Sequence, residues 1–384
     1  MTSDPPGEVE TPMTPEELRA TIPALDETIY LNTGASGPSP RSVIEAGQRE
    51  LERHEDDAHT AAADPYEFAF GRFDETREIV ADFVGAKPDE IALTNSTTAG
   101  INVVANAIDW EPGDVIVRPD FEHAGGILPW KRLQREHGVE IRVVETEGGR
   151  IPRDAYAEAV ADARLVVFSA ITWTHGTRLP VAELVEIAHD AGAEVLVDAV
   201  QVPGQAPLDV REWGAEFVAA AGHKWLLGPW GAGFLYVEEA VANDLEPAAL
   251  GYRGVEDSYA SEPTYEPGAR RFEVGTASPA PYAGLREAIA IVESVGVEEI
   301  ESRIRELTTS LKAELGEDRL LSPRKFESGL VTIRAENPEA TVERLKHSGI
   351  VVRSLPAPDT IRVSVHAFNT RDDLETLLAA LDRK

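Results

Sequence analysis

The chain has 384 residues and no cysteine, so disulfides, thiolate metal sites and thiol nucleophiles are all excluded. Its 68 acidic residues outnumber 36 basic ones, of which 7 are lysine and 29 arginine, and the formal charge of −32 is spread along the whole chain. Such a coat disfavours nucleic-acid binding and points to a halophilic protein, because at 1 M salt charges are screened within roughly 3 Å.

The length predicts two domains with a substantial core. No apolar run reaches the roughly 18 residues of a membrane span. The opening MTSDPPGEVETP is acidic and unlike a signal peptide, so a cytoplasmic protein is expected. Residues 1–12 read as a disordered acidic tail. Thr14 caps a helix with Pro15 at its first position. A short strand over 29–32 leads into the tight turn 33–38, and residues 13–39 are expected to pack on the smaller domain.

From residue 40 helices and strands alternate. Helices are predicted over 75–83, 97–108, 128–137 and 181–191. Strands are predicted over 91–94, 114–117, 141–144, 165–168, 193–197, 217–219 and 233–237. This alternation implies an α/β fold with a doubly wound, mostly parallel sheet over residues 40–264, which binds ligands beyond the carboxyl ends of its strands. After about residue 265 the rhythm changes. One long helix over 282–315, a strand over 329–333, a helix over 338–348, strands over 349–353 and 360–365 and a helix over 371–382 make a smaller α+β domain, 265–384.

Lys224 lies in AGHKWLLGP, framed by Gly222-His223 and Gly228-Pro229, which places it in a turn. Asp198 ends the apolar run AEVLV, which reads as a buried parallel strand. An amine and a buried carboxylate, each at a strand end, are what pyridoxal phosphate requires. The amine forms the Schiff base, and the carboxylate holds the pyridinium nitrogen. Residues 94–100, TNSTTAG, join a strand to a helix whose free N–H groups suit a phosphate. His123, after a strand, can stack on a pyridine ring, and Gln201, three residues past Asp198, can reach a phenolic oxygen.

GHKWLLGP, VDAVQ, FEH, NSTTAG and YLNTGASGP, in this order, resemble the class V aminotransferases, a pyridoxal-phosphate family that includes cysteine desulfurases, selenocysteine lyases and isopenicillin-N-epimerase-like proteins. The likeness spans roughly residues 28–380 and implies the fold type I architecture. By this resemblance Lys224 is the Schiff-base lysine and proton carrier, Asp198 the pyridinium partner, Gln201 the phenolic-oxygen contact and His123 the stacking histidine. Thr97, Thr98 and His223 bind the phosphate. Thr276 is the phosphate contact given by the other subunit of a homodimer. Arg362 holds the substrate α-carboxylate, with Asn32 also on the substrate side. No metal site is expected.

Three departures stand out. Ala221 replaces the serine that precedes Gly-His-Lys in desulfurases. Trp173 stands where desulfurases place an asparagine, a feature closer to the epimerase-type branch. The segment from Arg353 to Arg362 is short and lacks the desulfurase cysteine, so this chain alone cannot form a persulfide on an enzyme thiol. The reading favours transamination of a small amino acid. Thiol-independent β-elimination and epimerisation are alternatives within the same chemistry, and a non-catalytic binding protein is the alternative outside it.

Overall fold

The computed structural model describes residues 12–356 and 359–382, so all but the last residue of the expected acidic tail lies outside the described residues. In chain order the elements are α1 (Pro15–Ala20), β1 (Ile29–Tyr30), α2 (Arg41–Asp56), α3 (Pro65–Val84), β2 (Ile91–Thr94), α4 (Thr97–Ala107), β3 (Val115–Pro119), α5 (Leu128–His137), β4 (Glu140–Val144), α6 (Arg153–Ala159), β5 (Ala163–Ser169), α7 (Val181–Asp190), β6 (Glu194–Asp198), α8 (Val210–Trp213), β7 (Phe217–Ala221) and β8 (Gly233–Val237). There follow α9 (Glu239–Asp244), α10 (Ala280–Val295), α11 (Val297–Glu314), β9 (Leu330–Arg334), α12 (Pro338–His347), β10 (Ile350–Val351), β11 (Arg353–Leu355), β12 (Thr360–Ser364) and α13 (Arg371–Leu381).

Seven strands form the central sheet in the order β2-β8-β7-β6-β5-β3-β4. Only β8 runs against its neighbours, so the sheet is mostly parallel. Successive residues of a strand face opposite ways, and both faces are covered. Val195 and Val197 join Phe168, Val218, Leu285 and Ile289 in one core. Leu196 joins Phe217, Ala219, Ile101 and Val104 in the other. Full burial of each of these valine, leucine, isoleucine and phenylalanine side chains stabilises the fold by about 1.5–3 kcal/mol. This is the α/β architecture expected from the strand–helix alternation, in the fold type I form that the resemblance implied.

A second, antiparallel sheet, β11-β12-β9, rests on a third core that includes Leu307, Leu311, Val331, Ile333, Val363 and Leu374. The N-terminal segment lies across it. β1 pairs in parallel with β10, Leu31 enters the third core, and Arg19 bridges to Asp373 at 3.0 Å.

Several elements differ from their predicted form. The single helix expected over 282–315 is two, because Gly296 at φ 88° ends α10 and redirects the chain into α11. α10 buries Leu285, Ile289 and Val292 in the core that also holds Val195 and Val197 of the large sheet. The helix expected over 75–83 begins at Pro65, where the Asp64 carboxylate accepts from the N–H groups of Tyr66 and Glu67. The strand expected over 349–353 is divided between β10, on β1, and β11, on β12.

Candidate active site

The carboxyl ends of β3, β5, β6 and β7 and the turn after β2 open into one cavity. Its walls include Ser96, Thr97, Thr98, His123, Ser169, Trp173, Asp198, Gln201, His223, Lys224, Arg353 and Arg362. Every predicted site residue except Thr276 and Asn32 therefore meets in one place. Thr276 lines a different groove, with Leu51, His54, Tyr66 and Phe70. Asn32 bridges to Ser364 and keeps a buried Oδ1 without a partner, outside the cavity wall.

Lys224 is held by a taut loop. Gly228 N–H donates to the Gly222 carbonyl at 2.9 Å, Leu227 N–H to the Lys224 carbonyl at 3.1 Å, and Gly37 N–H to the His223 carbonyl at 2.8 Å. Leu227 sits at φ 59°, a left-handed conformation that costs a non-glycine residue about 1–3 kcal/mol and persists only where packing enforces it. Gly37 is required by contact, since a Cβ there would lie 2.1 Å from the Lys224 carbonyl oxygen.

Burial brings the Lys224 amine down to about 8, with Asp198 opposing the shift and Arg362 and Arg353 adding to it. Burial also raises the Asp198 carboxyl, opposed by Lys224 and by the Val200 N–H, which donates to Oδ1 at 3.0 Å. The two groups feel each other's charge across the cavity without forming an ion pair. Gln201 is fixed at both ends: Oε1 accepts from Trp225 Nε1 at 2.7 Å, and Nε2 donates to the Gly34 carbonyl at 3.0 Å. Its amide keeps a second N–H for a ligand.

The remaining wall is aromatic and basic. His123 Nδ1 accepts from Gly125 N–H at 3.2 Å, and its ring meets Trp173 edge-on, with centroids 5.4 Å apart. Desolvation, then the cations Lys224, Arg353 and Arg362, hold His123 below the usual imidazole range. Burial, with Lys224 adding, takes His223 down to about 4. Ser96 caps α4 by accepting from Ala99 N–H at 3.2 Å, while the buried Thr97 hydroxyl lacks a partner. Glu122, not singled out from the sequence, is buried behind the wall and accepts from Ser169 N–H at 2.7 Å and from its hydroxyl at 2.6 Å. Burial pushes Glu122 up to about 8. The adjacent histidine in FEH was its available signal.

Arg362 is the most exacting member. It is 1% exposed, and one nitrogen, Nη1, donates to the Trp173 carbonyl at 2.8 Å, while Nε and Nη2 have no partner. Among the described residues it makes no ion pair. Gly34 leaves the room it occupies, since a Cβ there would approach Nη2 to 3.2 Å. Arg353 stands directly across the β-ribbon from Arg362, with its guanidinium 5.9 Å from the centre of the Trp173 ring.

A buried carboxylate, a desolvated lysine and a helix N-terminus with an unpartnered hydroxyl surround one cavity, which fits pyridoxal phosphate from ring nitrogen to phosphate. The fold and the site define a pyridoxal-phosphate enzyme of fold type I. The sequence profile of the aminotransferase class-V family matches residues 29–377, and the chain belongs to that family.

A probable cysteine desulfurase of Methanothermobacter thermautotrophicus is 34% identical, covering 96% of this chain and 98% of its own. Isopenicillin N epimerase of Streptomyces clavuligerus is 33% identical, covering 96% and 97%. Among solved structures, the cystine C–S lyase C-DES in complex with its reaction product, cysteine persulfide, superposes with a TM-score of 0.88 at 28% identity, covering 94% of this chain and 98% of that one. A C-DES variant with glycine covalently linked to its pyridoxal-phosphate cofactor superposes with a TM-score of 0.89 over the same shares. Among the described residues no helix is long and apolar enough to cross a membrane.

Proposed function

We propose that the protein is a C–S lyase that splits cystine by β-elimination without an enzyme thiol. The observation that carries this reading is the pair Arg353 and Arg362, like charges opposed on neighbouring strands and aimed into the Lys224 cavity. Such a pair destabilises an empty ribbon, and a buried guanidinium with two idle nitrogens calls for a bidentate anion. Arg362 suits the α-carboxylate and Arg353 the second carboxylate of a diacid. Relatives named for cysteine and cystine chemistry favour elimination over the transamination preferred on sequence alone.

Held between Asp198 and Lys224, pyridoxal phosphate would supply an electron sink for the pair left at the substrate α-carbon. Lys224 Nζ receives the α-proton. Asp198 would hold the proton on the ring nitrogen, and His123, in the cavity wall, would lie against the ring. The Cβ–S bond breaks with its electrons going to sulfur, releasing cysteine persulfide. The three-carbon remainder takes up water to give pyruvate and ammonia, so no oxidant or reductant is consumed.

The test follows absorbance, pyruvate and persulfide when holoenzyme meets L-cystine, L-cysteine and L-alanine. Pyruvate and persulfide in equal amounts from cystine support the reading. Conversion to the pyridoxamine form, with pyruvate from alanine but none from cystine, would replace it with transamination. Appearance of the D-isomer would replace it with epimerisation.

A further inference from the structure

We infer that His54, Glu55 and His59 form a binding site for a first-row divalent transition metal, Zn²⁺ in particular, at the corner between α2 and α3. No metal was expected from the sequence, and the site is independent of the cofactor chemistry. One potential ligand atom from each of the three residues lies within 4.8 Å of the others. His54 and Glu55 occupy the last turn of α2, and the chain beyond its end folds back to bring His59 beside them.

Two features pre-shape this cluster. His59 Nδ1 lies 2.9 Å from the His54 carbonyl oxygen. A carbonyl only accepts, so Nδ1 carries the proton and Nε2 keeps its lone pair. This is the outer hydrogen bond that fixes the tautomer of metal-binding histidines. His54 is held edge-on between His59 and Phe68, at 5.1 and 6.1 Å, which limits its rotation. Its Nδ1 stands 3.2 Å from Glu55 Oε1.

Two imidazoles and a carboxylate select zinc-like ions over calcium or magnesium, which prefer all-oxygen shells. Zn–N bonds of ~2.0 Å put tetrahedral ligands roughly 3.3 Å apart, so side-chain rotations of little more than an ångström would close the site around an ion. The acidic surroundings, with Glu52, Asp56 and Asp57 nearby in sequence, favour a cation. A bound ion would tie the end of α2 to the loop leading to α3. That corner walls the groove that also holds Thr276 and Ser278.

The test is equilibrium dialysis of untagged, cofactor-loaded protein against Zn²⁺ in competition with a chelator, with Mg²⁺ in excess. Retention of a single Zn²⁺ per chain is expected. His54→Ala and His59→Ala should each weaken it at least tenfold, and Glu55→Gln by a smaller factor. The cofactor absorbance of each variant, expected unchanged, checks folding. Equal Zn²⁺ retention by wild type and the His54→Ala/His59→Ala double variant would overturn the site, as would no retention by the wild type.

Discussion

At the scale of single residues, Lys224 can capture an aldehyde or remove a proton only while its amine is neutral. Its ordinary value near 10.4 would leave it charged at neutral pH, and burial lowers it to about 8. The amine charges as pH falls through that value, so the apo chain should capture pyridoxal phosphate with a rate that rises through pH ~8 and then levels. Stopped-flow absorbance would show this, and a midpoint near the ordinary lysine value would refute it. Lys224→Ala should abolish covalent capture and turnover. Asp198→Ala should keep the cofactor weakly and lose roughly 10²-fold or more in kcat, and undiminished turnover would remove Asp198 from its role. Both residues were legible because Asp198 ends a recognisable strand and Lys224 follows another in a glycine-framed turn. The supports of Arg362 were not. Its hydrogen bond to Trp173 joins residues 189 apart, and no local pattern announces a contact that only the closed fold creates.

At the scale of elements, the hairpin β11–β12 sets two guanidiniums side by side, and the cost and the benefit of that arrangement fall on different states. Without substrate, opposed like charges destabilise a strand pair by about 0.2–1 kcal/mol. With a dicarboxylic substrate each charge gains a partner. Arg353→Gln should therefore raise the melting temperature of the protein by about 1–2 °C while lowering kcat/KM for cystine at least tenfold. It should leave that for monocarboxylic cysteine within about threefold. A parallel fall for both substrates would deny Arg353 a part in recognition. The same hairpin shows the limits of the sequence. The apolar run 350–352 hid the change of partner at Val352, since periodicity reports burial but not which strand lies alongside. Residues 41–56 were missed for the opposite reason. Their charged surface carries a narrow inner face where Val43 is joined by buried Glu50, itself bridged to Arg72 and Arg286 at 3.2 and 3.5 Å. The central strands and Thr97–Ala107 were clear because both faces of the sheet are covered and the helix starts at a serine cap.

At the scale of the whole molecule, two proposals concern how the chain lives with its charge and with its copies. The −32 charge repels itself wherever screening is weak. We propose a halophilic protein, whose melting temperature should climb steadily from dilute buffer to molar KCl. A melt indifferent to salt would sink this. We also propose a homodimer in which Thr276 reaches the partner's cofactor phosphate, because Thr276 stands away from its own Lys224 cavity. The crossing of subunits can be tested by placing Lys224→Ala and Thr276→Ala on separate, differently tagged chains and purifying the mixed pair. Its competent site then draws Lys224 from one chain and an intact Thr276 from the other. That pair should bind cofactor at its active site as tightly as wild type. When both substitutions sit on one chain mated to a wild-type partner, the only competent site lacks Thr276. It should bind cofactor roughly 10-fold or more weakly, the worth of a hydrogen bond to a charged group. Equal affinities in the two pairings would remove Thr276 from the site, and the reverse order, or a monomer by light scattering at working concentration, would deny the crossing of subunits.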